Sequence, residues 1–426
     1  MSRRFLLPLA ALLFCFAAST APAQKFQPKH IHFTGDPEYT DQELADAAGL
    51  KPGMLLDIAD MSDHAKQIMD TGMFSTITYR FEGTDIVCNI APALLLFPVR
   101  LQNLPIAAGP DLDAKLHTRL PLYHGKVPPE GGMLDSVRAA LEEMLNAQSI
   151  KATVTATPFT DIKVGKVTAM SFFITAPQVV IGDLHLDPAS PALDPKAQEI
   201  LAKQSGAQYD FEGSSNQIET NLGNYYRDKG YLEAEVHAVS QLKAATATDA
   251  VRVPFTVSFA PGPLYKISSI QLAPGTLVTQ ADFDHQSGTH PGDIADRARI
   301  GQNWQFLARQ YHNKGYMKAV IQATPAFDHA QATVAYTVAV DPGPAYTMGV
   351  LRIDNVSDDL RAAMLAAWKM PAGSVFNESA ATNFFTIGDI NPALKRVFAS
   401  ASCKYFFTLN DENHTVDVVL KLEKRP

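Results

Sequence analysis

Two short phrases recur roughly 85 residues apart, and this repeat constrains the fold more than any other feature of the chain. Asn224–Tyr231 reads Asn-Tyr-Tyr-Arg-Asp-Lys-Gly-Tyr, and Arg309–Tyr316 reads Arg-Gln-Tyr-His-Asn-Lys-Gly-Tyr. A weaker copy, Ile68–Phe74, lies near the N-terminus, and Pro-Gly-Pro repeats in step at 261–263 and 342–344. A fixed period at this scale indicates an array of small domains.

The first repeat predicts the order of elements in each domain. Thr40 and Glu43 match a capping box at the start of a short helix, and Gly72 ends a second amphipathic helix. Alternation of polar and apolar residues predicts three strands, at His30–Thr34, Phe74–Phe81 and Ile86–Ile90. The order is therefore β-α-α-β-β.

The same order fits the rest of the chain. The sequence therefore predicts an α+β fold class, with about five tandem domains that each contain a three-stranded mixed sheet covered by two helices. The predicted domain boundaries are 24–96, 97–177, 178–262, 263–344 and 345–426. The glycines of the repeated phrase, Gly230 and Gly315, are expected to take positive φ at a helix end.

The N-terminus is typical of a secretory signal peptide over residues 1–23. Arg3 and Arg4 precede the apolar run Phe5–Ala18, and Ala21-Pro22-Ala23 offers a cleavage site before Gln24. A signal anchor is the alternative, although the apolar run is shorter than a membrane span. We therefore expect an exported protein.

The net charge limits the expected classes of partner, and the cysteine positions argue against a disulfide. The net charge of −8 at pH 7 disfavours nucleic acid and leaves at most peripheral membrane association. Cys88 and Cys403 fall in the first and last predicted domains, so we expect no disulfide between them.

One polar cluster has the residue types of a metal site. Asp282, Asp284, His285, His290 and Asp293 lie within twelve residues, but their spacing matches no ligand pattern, and a solvated polar turn is the favoured interpretation. The sequence has no Gly-X-Ser-X-Gly, His-Glu-X-X-His or phosphate-binding glycine loop. We therefore expect no catalytic residues, no metal, no cofactor and no enzymatic activity.

The phrases Lys229–Tyr231 and Lys314–Tyr316, the Pro-Gly-Pro joints and the opening Ile31–Gly35 resemble POTRA domains. These domains form the periplasmic arms of Omp85 proteins such as BamA and TamA. Omp85 proteins continue into a C-terminal transmembrane β-barrel. Since the sequence ends at Pro426, we expect the chain to lack the barrel and the insertion activity that depends on it.

The resemblance implies that the strand after the second helix lies at the edge of each sheet. An edge strand offers unpaired backbone groups to which an extended client can add as another strand, the mode called β-augmentation. The alternative is that these edges pack on neighbouring domains or face water. The expected edge strands are Ser75–Phe81, Ala152–Thr157, Ala234–Val239, Ala319–Ala323 and Tyr405–Leu409. The candidate client-binding residues are Thr78, Tyr79, Val154, Val236, Val320, Gln322 and Phe407.

The resemblance thus implies a non-catalytic periplasmic binding scaffold in outer-membrane protein assembly. Its expected partners are unfolded outer-membrane proteins, or an Omp85 barrel protein supplied by another chain. The alternative is a structural spacer or adaptor of the cell envelope that binds one folded partner. A third interpretation is a remnant of a split or truncated barrel gene.

Overall fold

The computed structural model of the protein describes residues 25–384 and 401–424, and these residues form five sheets, each with its own helices. We call each sheet with its helices a module. Module one comprises β1 (His30–Thr34), α1 (Asp41–Ala48), α2 (Ile58–Met69), β2 (Phe74–Glu82) and β3 (Asp85–Pro92). Module two comprises β4 (Phe97–Leu101), α3 (Pro110–Arg119), β5 (Lys126–Val127), α4 (Gly132–Ala147), β6 (Thr153–Asp161) and β7 (Lys166–Ala176).

The later modules repeat this order. Module three comprises β8 (Val179–Leu186), α5 (Pro195–Ala202), α6 (Gly213–Asp228), β9 (Glu235–Ser240), β10 (Thr246–Ala247) and β11 (Val251–Ala260). Module four comprises β12 (Lys266–Leu272), α7 (Gln280–Gln286), α8 (Arg297–His312), β13 (Val320–Asp328) and β14 (Thr333–Asp341). Module five comprises β15 (Thr347–Asp354), α9 (Asp358–Ala367), α10 (Glu378–Thr382), β16 (Ala401–Asn410) and β17 (Thr415–Lys424).

The chain divides into two compact units. One is formed by the described residues up to Leu184 with 204–214 and 240–255, and the other by the remaining described residues. Modules one and two lie within the first unit, and modules four and five lie within the second.

The mixed sheets were predicted, but their strand number was wrong for two modules. In modules one, four and five the order is β1-β3-β2, β12-β14-β13 and β15-β17-β16, with the first strand parallel to the last. Module two has the order β5-β4-β7-β6, and in module three β9 joins the path β10-β11-β8 by pairing with β11. The extra strands β5 and β10 are two residues long and come from loops that pair with a neighbouring strand, which residue patterning does not reveal.

The last strand of each module lies inside its sheet and supplies much of the core. In β3, Ile86, Cys88 and Ile90 occupy alternate positions on one face and are at most 2% exposed. The thiol of Cys88 is free, and burial, with a smaller effect from Asp41, raises its pKa to about 11. Cys88 thus acts as a small buried hydrophobe, whereas the side chain of Cys403 lies outside the described residues.

The local signals of the first helix and of the repeated phrase are confirmed. The amide of Glu43 donates to Thr40 Oγ1, and the amide of Thr40 donates to Glu43 Oε2 at 2.7 Å, which completes the capping box. Gly230 and Gly315 have φ of 97° and 86°. The tyrosines that follow them pack edge-on against Tyr226 and Tyr311 of the preceding helices.

In module three, Asp194 ties the start of α5 to the repeated phrase. Its Oδ1 accepts from the amides of Lys196 and Ala197 and from the hydroxyl of Tyr225 at 2.8 Å, and its Oδ2 accepts from Lys229 Nζ at 3.1 Å. Partial burial opposes ionisation, but the hydrogen bonds from Ala197, Tyr225 and Lys229 outweigh it and lower the pKa of Asp194 to about 2.

We expect Asp194→Asn to lower the stability of the α5–α6 pair by about 1 kcal/mol at pH 7, since asparagine can still cap α5 but removes a partly exposed ion pair and the negative charge at the helix start. Because the folded pKa of Asp194 lies below its ordinary value of 3.8, this stabilisation is present above pH 4 and is lost as the pH falls toward 2. Hydrogen exchange of α5 amides across this range measures the effect. If the Asp194→Asn variant lost as much protection on acidification as the wild type, this assignment would be contradicted.

Candidate functional site

Each sheet has two edges, and in modules two to five the edge at the first strand is covered by a loop of the same module. The amide of Ile267 in β12 donates to Asp293 O, and the amide of Gly292 donates to Ile267 O, both at 2.8 Å. In β15, Met348 makes the same pair of bonds with Ser374 and Gly373, both at 2.7 Å. The segments that cover β4 and β8 are Lys126–Val127 and 206–209, whereas in module one the segment 53–56 bonds to Phe26 and Pro28, just before β1. Within the described residues, the loop before the second helix therefore covers the first strand of modules two to five.

The opposite edge is the strand that follows the second helix. β2, β6, β13 and β16 are terminal in the strand orders of their sheets, and β9 pairs with β11. Every candidate residue lies in one of these strands: Thr78 and Tyr79 in β2, Val154 in β6, Val236 in β9, Val320 and Gln322 in β13, and Phe407 in β16.

The candidates differ in what they present to solvent. Thr78, Val320 and Gln322 are exposed, and Tyr79 and Phe407 are half-buried. Val154 and Val236 are only 1% and 6% exposed, because their side chains point into the cores of their modules. These two residues are available to a bound strand only through their backbone.

In modules two and three, a glutamate of the second helix reaches the strand after it. Glu142 Oε1 in α4 accepts from the amide of Val154 at 2.8 Å, and Glu219 Oε1 in α6 accepts from the amide of Ala238 at 2.8 Å. Each carboxylate uses an amide that an added strand would need, which weakens pairing at that point. Reasoning from the sequence missed these capping glutamates, because nothing in the local pattern links a helix glutamate to a strand amide.

Module four has no such cap. Trp304 stands eleven residues before Gly315, as Glu219 stands eleven before Gly230, and an indole cannot accept a hydrogen bond from an amide as a carboxylate does. Trp304 instead packs on the module core and on Tyr336. Among the described residues, no side chain accepts from a backbone amide of β13.

The position of Pro325 indicates which amides of β13 face outward. The register between β13 and β14 is unbroken from Val320 to Asp328, and a proline is tolerated in a strand where its missing N–H faces solvent. Since alternate residues of an edge strand turn their N–H outward, Ile321 and Ala323 share this orientation with Pro325. Pro158 and the glutamate-capped Val154 have the same parity in β6.

The edge of module five is richer in aromatic residues. Tyr405 and Phe406 of β16 are 45% and 51% exposed. Tyr405 also lines an open cavity of about 310 Å³ with side chains of α8 and α10, among them Arg309 and Glu378. This strand thus offers apolar surface beside its backbone.

The polar cluster near residue 288 is not gathered into one group. Asp282 interacts with Thr279, and Asp284 accepts from Gln280 Nε2 at 2.8 Å. Asp293 Oδ2 accepts from the amide of His290 at 2.9 Å, and the imidazole Nδ1 of His290 lies 3.8 Å from the same oxygen. These side chains make local contacts within α7 and in the turn that follows it.

No helix in the described ranges is both long and apolar enough to cross a membrane. A sequence model of the POTRA family, "Surface antigen variable number repeat", matches residues 265–343, which correspond to module four. A curated relative, the outer membrane protein assembly factor BamA of Buchnera aphidicola subsp. Acyrthosiphon pisum (strain APS), is 21% identical over 352 residues. The alignment covers 79% of this chain and 55% of the relative, so the chain spans about half the length of that relative.

Solved structures that resemble the chain include POTRA3-5 of Haemophilus influenzae BamA, with a TM-score of 0.44 and 19% identity over 58% of this chain and 97% of the other. Another is POTRA1-3 of Omp85 from Anabaena, with a TM-score of 0.26 and 17% identity over 59% of this chain and 98% of the other.

Proposed function

We propose that this chain, a tandem POTRA-domain protein resembling the periplasmic arm of Omp85 proteins, is a non-catalytic periplasmic scaffold in outer-membrane protein assembly. It binds extended segments of unfolded outer-membrane proteins, or of an Omp85 partner, by β-augmentation. The relative named as an assembly factor supports the process, and the sheet edges support the mode of binding.

The observation that carries the proposal is the asymmetry of the sheets. In modules two to five the first strand is hydrogen-bonded to a loop of the same module, whereas β2 and β13 end their sheets without a side chain of the described residues on their backbone amides. An unpaired strand edge is a template for another strand, and backbone pairing reads little sequence. Such edges suit clients that share extended conformation but differ in sequence.

Several edges on one chain also raise the effective affinity for a long client. Each edge alone contributes a few backbone hydrogen bonds of about 0.5–1.5 kcal/mol net. When one client segment is bound, a neighbouring segment meets the next edge at high local concentration. Modest, repeated contacts therefore suffice for retention and still permit release.

The proposal predicts that Ala323→Pro weakens client capture at β13 roughly tenfold, since it removes one outward amide and its hydrogen bond and obstructs close approach. The measurement is photo-crosslinking in the native host. The crosslinker replaces Val320, whose side chain is 54% exposed, and adducts are identified by mass spectrometry. Precursors of outer-membrane proteins are the expected adducts.

Thr324→Ala is the matched control, because it changes an exposed side chain of the same strand that is not a candidate binding residue and keeps every backbone amide. Its adducts should match those of the wild type, as should adducts from a crosslinker at Thr78 in the Ala323→Pro background. A single folded envelope protein captured equally by all variants would refute β-augmentation and favour the adaptor function.

A further inference from the structure

Three side chains from modules one and two converge on one point. Glu43 lies in α1, His117 lies in α3, and His124 lies in the loop after α3. Glu43 Oε1 is 3.5 Å from His117 Nε2 and 3.7 Å from His124 Nε2. The three ligand atoms all lie within 4.8 Å of one another. Within the described part of the chain, these residues form a group of potential metal ligands.

The carboxylate of Glu43 is held in place by the capping box of α1. Its Oε2 accepts from the amide of Thr40 at 2.7 Å and from Thr40 Oγ1 at 2.9 Å. Burial opposes its ionisation, yet the hydrogen bonds from Thr40 and the two imidazoles keep the pKa of Glu43 below its ordinary value. One oxygen is therefore committed to the helix cap, and the other, Oε1, faces the two histidines.

The imidazole of His117 is oriented by a second partner. Its Nδ1 lies 3.0 Å from the carbonyl oxygen of Tyr123, and because a carbonyl only accepts, Nδ1 carries the hydrogen. In the neutral ring the lone pair then lies on Nε2, which points at Glu43. A ligating histidine in metalloproteins is commonly held in this way, with its other nitrogen donating to a carbonyl or carboxylate.

His124 and the surrounding joint complete the arrangement. The ring of His124 packs edge-on against Tyr39 at 4.8 Å and against His117 at 4.9 Å. Backbone bonds from the amide of Gly132 to Asp70 O and from the amide of Met133 to Thr71 O, at 2.8 and 2.9 Å, also join the two modules. The ligand atoms from both modules are thus presented by connected, ordered elements.

The geometry suits a small divalent ion with one open position. Ligands at about 2.0–2.1 Å in a tetrahedral zinc site lie about 3.3 Å from one another, close to the two glutamate–histidine distances. An open cavity of about 330 Å³, lined by Asp113 and Tyr123 among others, adjoins the histidines and leaves room for a water ligand. Imidazole with carboxylate is a ligand set that Zn²⁺ accepts.

We propose that Glu43, His117 and His124 bind one Zn²⁺ ion between modules one and two. The ion takes one ligand from the first module and two from the second, so it acts as a clip across their joint. This inference is independent of client binding at the sheet edges, because none of its ligands lies in an edge strand.

The test is zinc titration by calorimetry of the whole chain, purified without a histidine tag, with Co²⁺ absorption as a second readout of tetrahedral coordination. The wild type should bind one equivalent. The double variant His117→Gln/His124→Gln should bind it more than about 100-fold more weakly, since loss of an outer partner of a ligand alone costs 10–100-fold. Glu43→Gln, which keeps the capping box, should weaken binding about 10-fold or more.

The matched control is His285→Gln/His290→Gln, which removes two exposed histidines outside the site. It should retain the full equivalent and the tetrahedral Co²⁺ spectrum. Far-ultraviolet circular dichroism of each variant establishes that the fold is intact. An unchanged equivalent in the His117→Gln/His124→Gln variant, or no tight equivalent in the wild type, would overturn the proposal and leave an ordinary carboxylate–histidine contact.

Discussion

Gly315→Ala is expected to destabilise the joint between modules four and five by about 3 kcal/mol. Gly315 has φ of 86°, a conformation that costs an alanine about 1–2 kcal/mol. An added Cβ would also lie 2.5 Å from Tyr346 O and 3.2 Å from Val375 Cγ1, so the backbone of module five must move. The displaced residue, Tyr346, is 1% exposed and donates its amide hydrogen to Gly315 O at 2.7 Å, so no free space absorbs the shift.

Gly275→Ala separates the clash from the backbone conformation. Gly275 has φ of 88°, and a Cβ there would meet nothing within 4 Å, so we expect only the conformational cost of about 1–2 kcal/mol. Hydrogen exchange read by mass spectrometry suits this comparison, since a chain of several modules does not unfold in two states. In the Gly315→Ala variant, amide exchange should accelerate in peptides from the end of α8 and from β15. Equal effects of the two substitutions would exclude a role for the contact with Tyr346.

The same glycine shows how far sequence reasoning reaches. The repeated phrase predicted positive φ at Gly230 and Gly315, and it did so because helix ends have a local signature. It did not predict that both glycine carbonyls accept from the first tyrosine of the next module, Tyr265 or Tyr346. That contact joins residues more than thirty positions apart, and its requirement for a missing Cβ is visible only when the approaching backbone is in place.

The candidate site was predictable in the same uneven way. The repeat and its resemblance to POTRA domains placed the strands after the second helix at sheet edges, and β2, β6, β13 and β16 do end their sheets. Which edges are blunted depends on Glu142 and Glu219, whose carboxylates reach across from a helix. Strand alternation in the sequence also did not predict that the side chains of Val154 and Val236 are buried. The cluster of Glu43, His117 and His124 had no sequence signal, because Glu43 is far from the histidines along the chain.

In module two, the side chain of Asn103 takes the place of a strand backbone. We expect its removal to destabilise its module at least as much as Gly315→Ala destabilises its joint. β4 ends at Leu101, but Asn103 Oδ1 accepts from the amide of Ile174 at 2.7 Å and its Nδ2 donates to Ile174 O at 3.1 Å. In β6, Val154 lies opposite Ile174, but its amide donates to Glu142. β6 therefore does not bond to the backbone amide or carbonyl of Ile174. The side-chain amide of Asn103 thus continues the hydrogen-bond ladder of β7 after its partner strand has ended.

We expect Asn103→Ala to destabilise module two by about 3–4 kcal/mol, because a buried donor and a buried acceptor of Ile174 lose their partners at about 1–3 kcal/mol each. Asn103 is 7% exposed and Ile174 is 4% exposed, so water does not readily replace the amide. Asn103→Asp has nearly the same volume but lacks the donor, and it should be at least as damaging. Gln102→Ala, at the adjacent and less buried position, should cost less than about 1 kcal/mol. The measurement is exchange of β7 amides, and a well-tolerated Asn103→Asp would show that volume, and not the paired hydrogen bonds, fixes this residue.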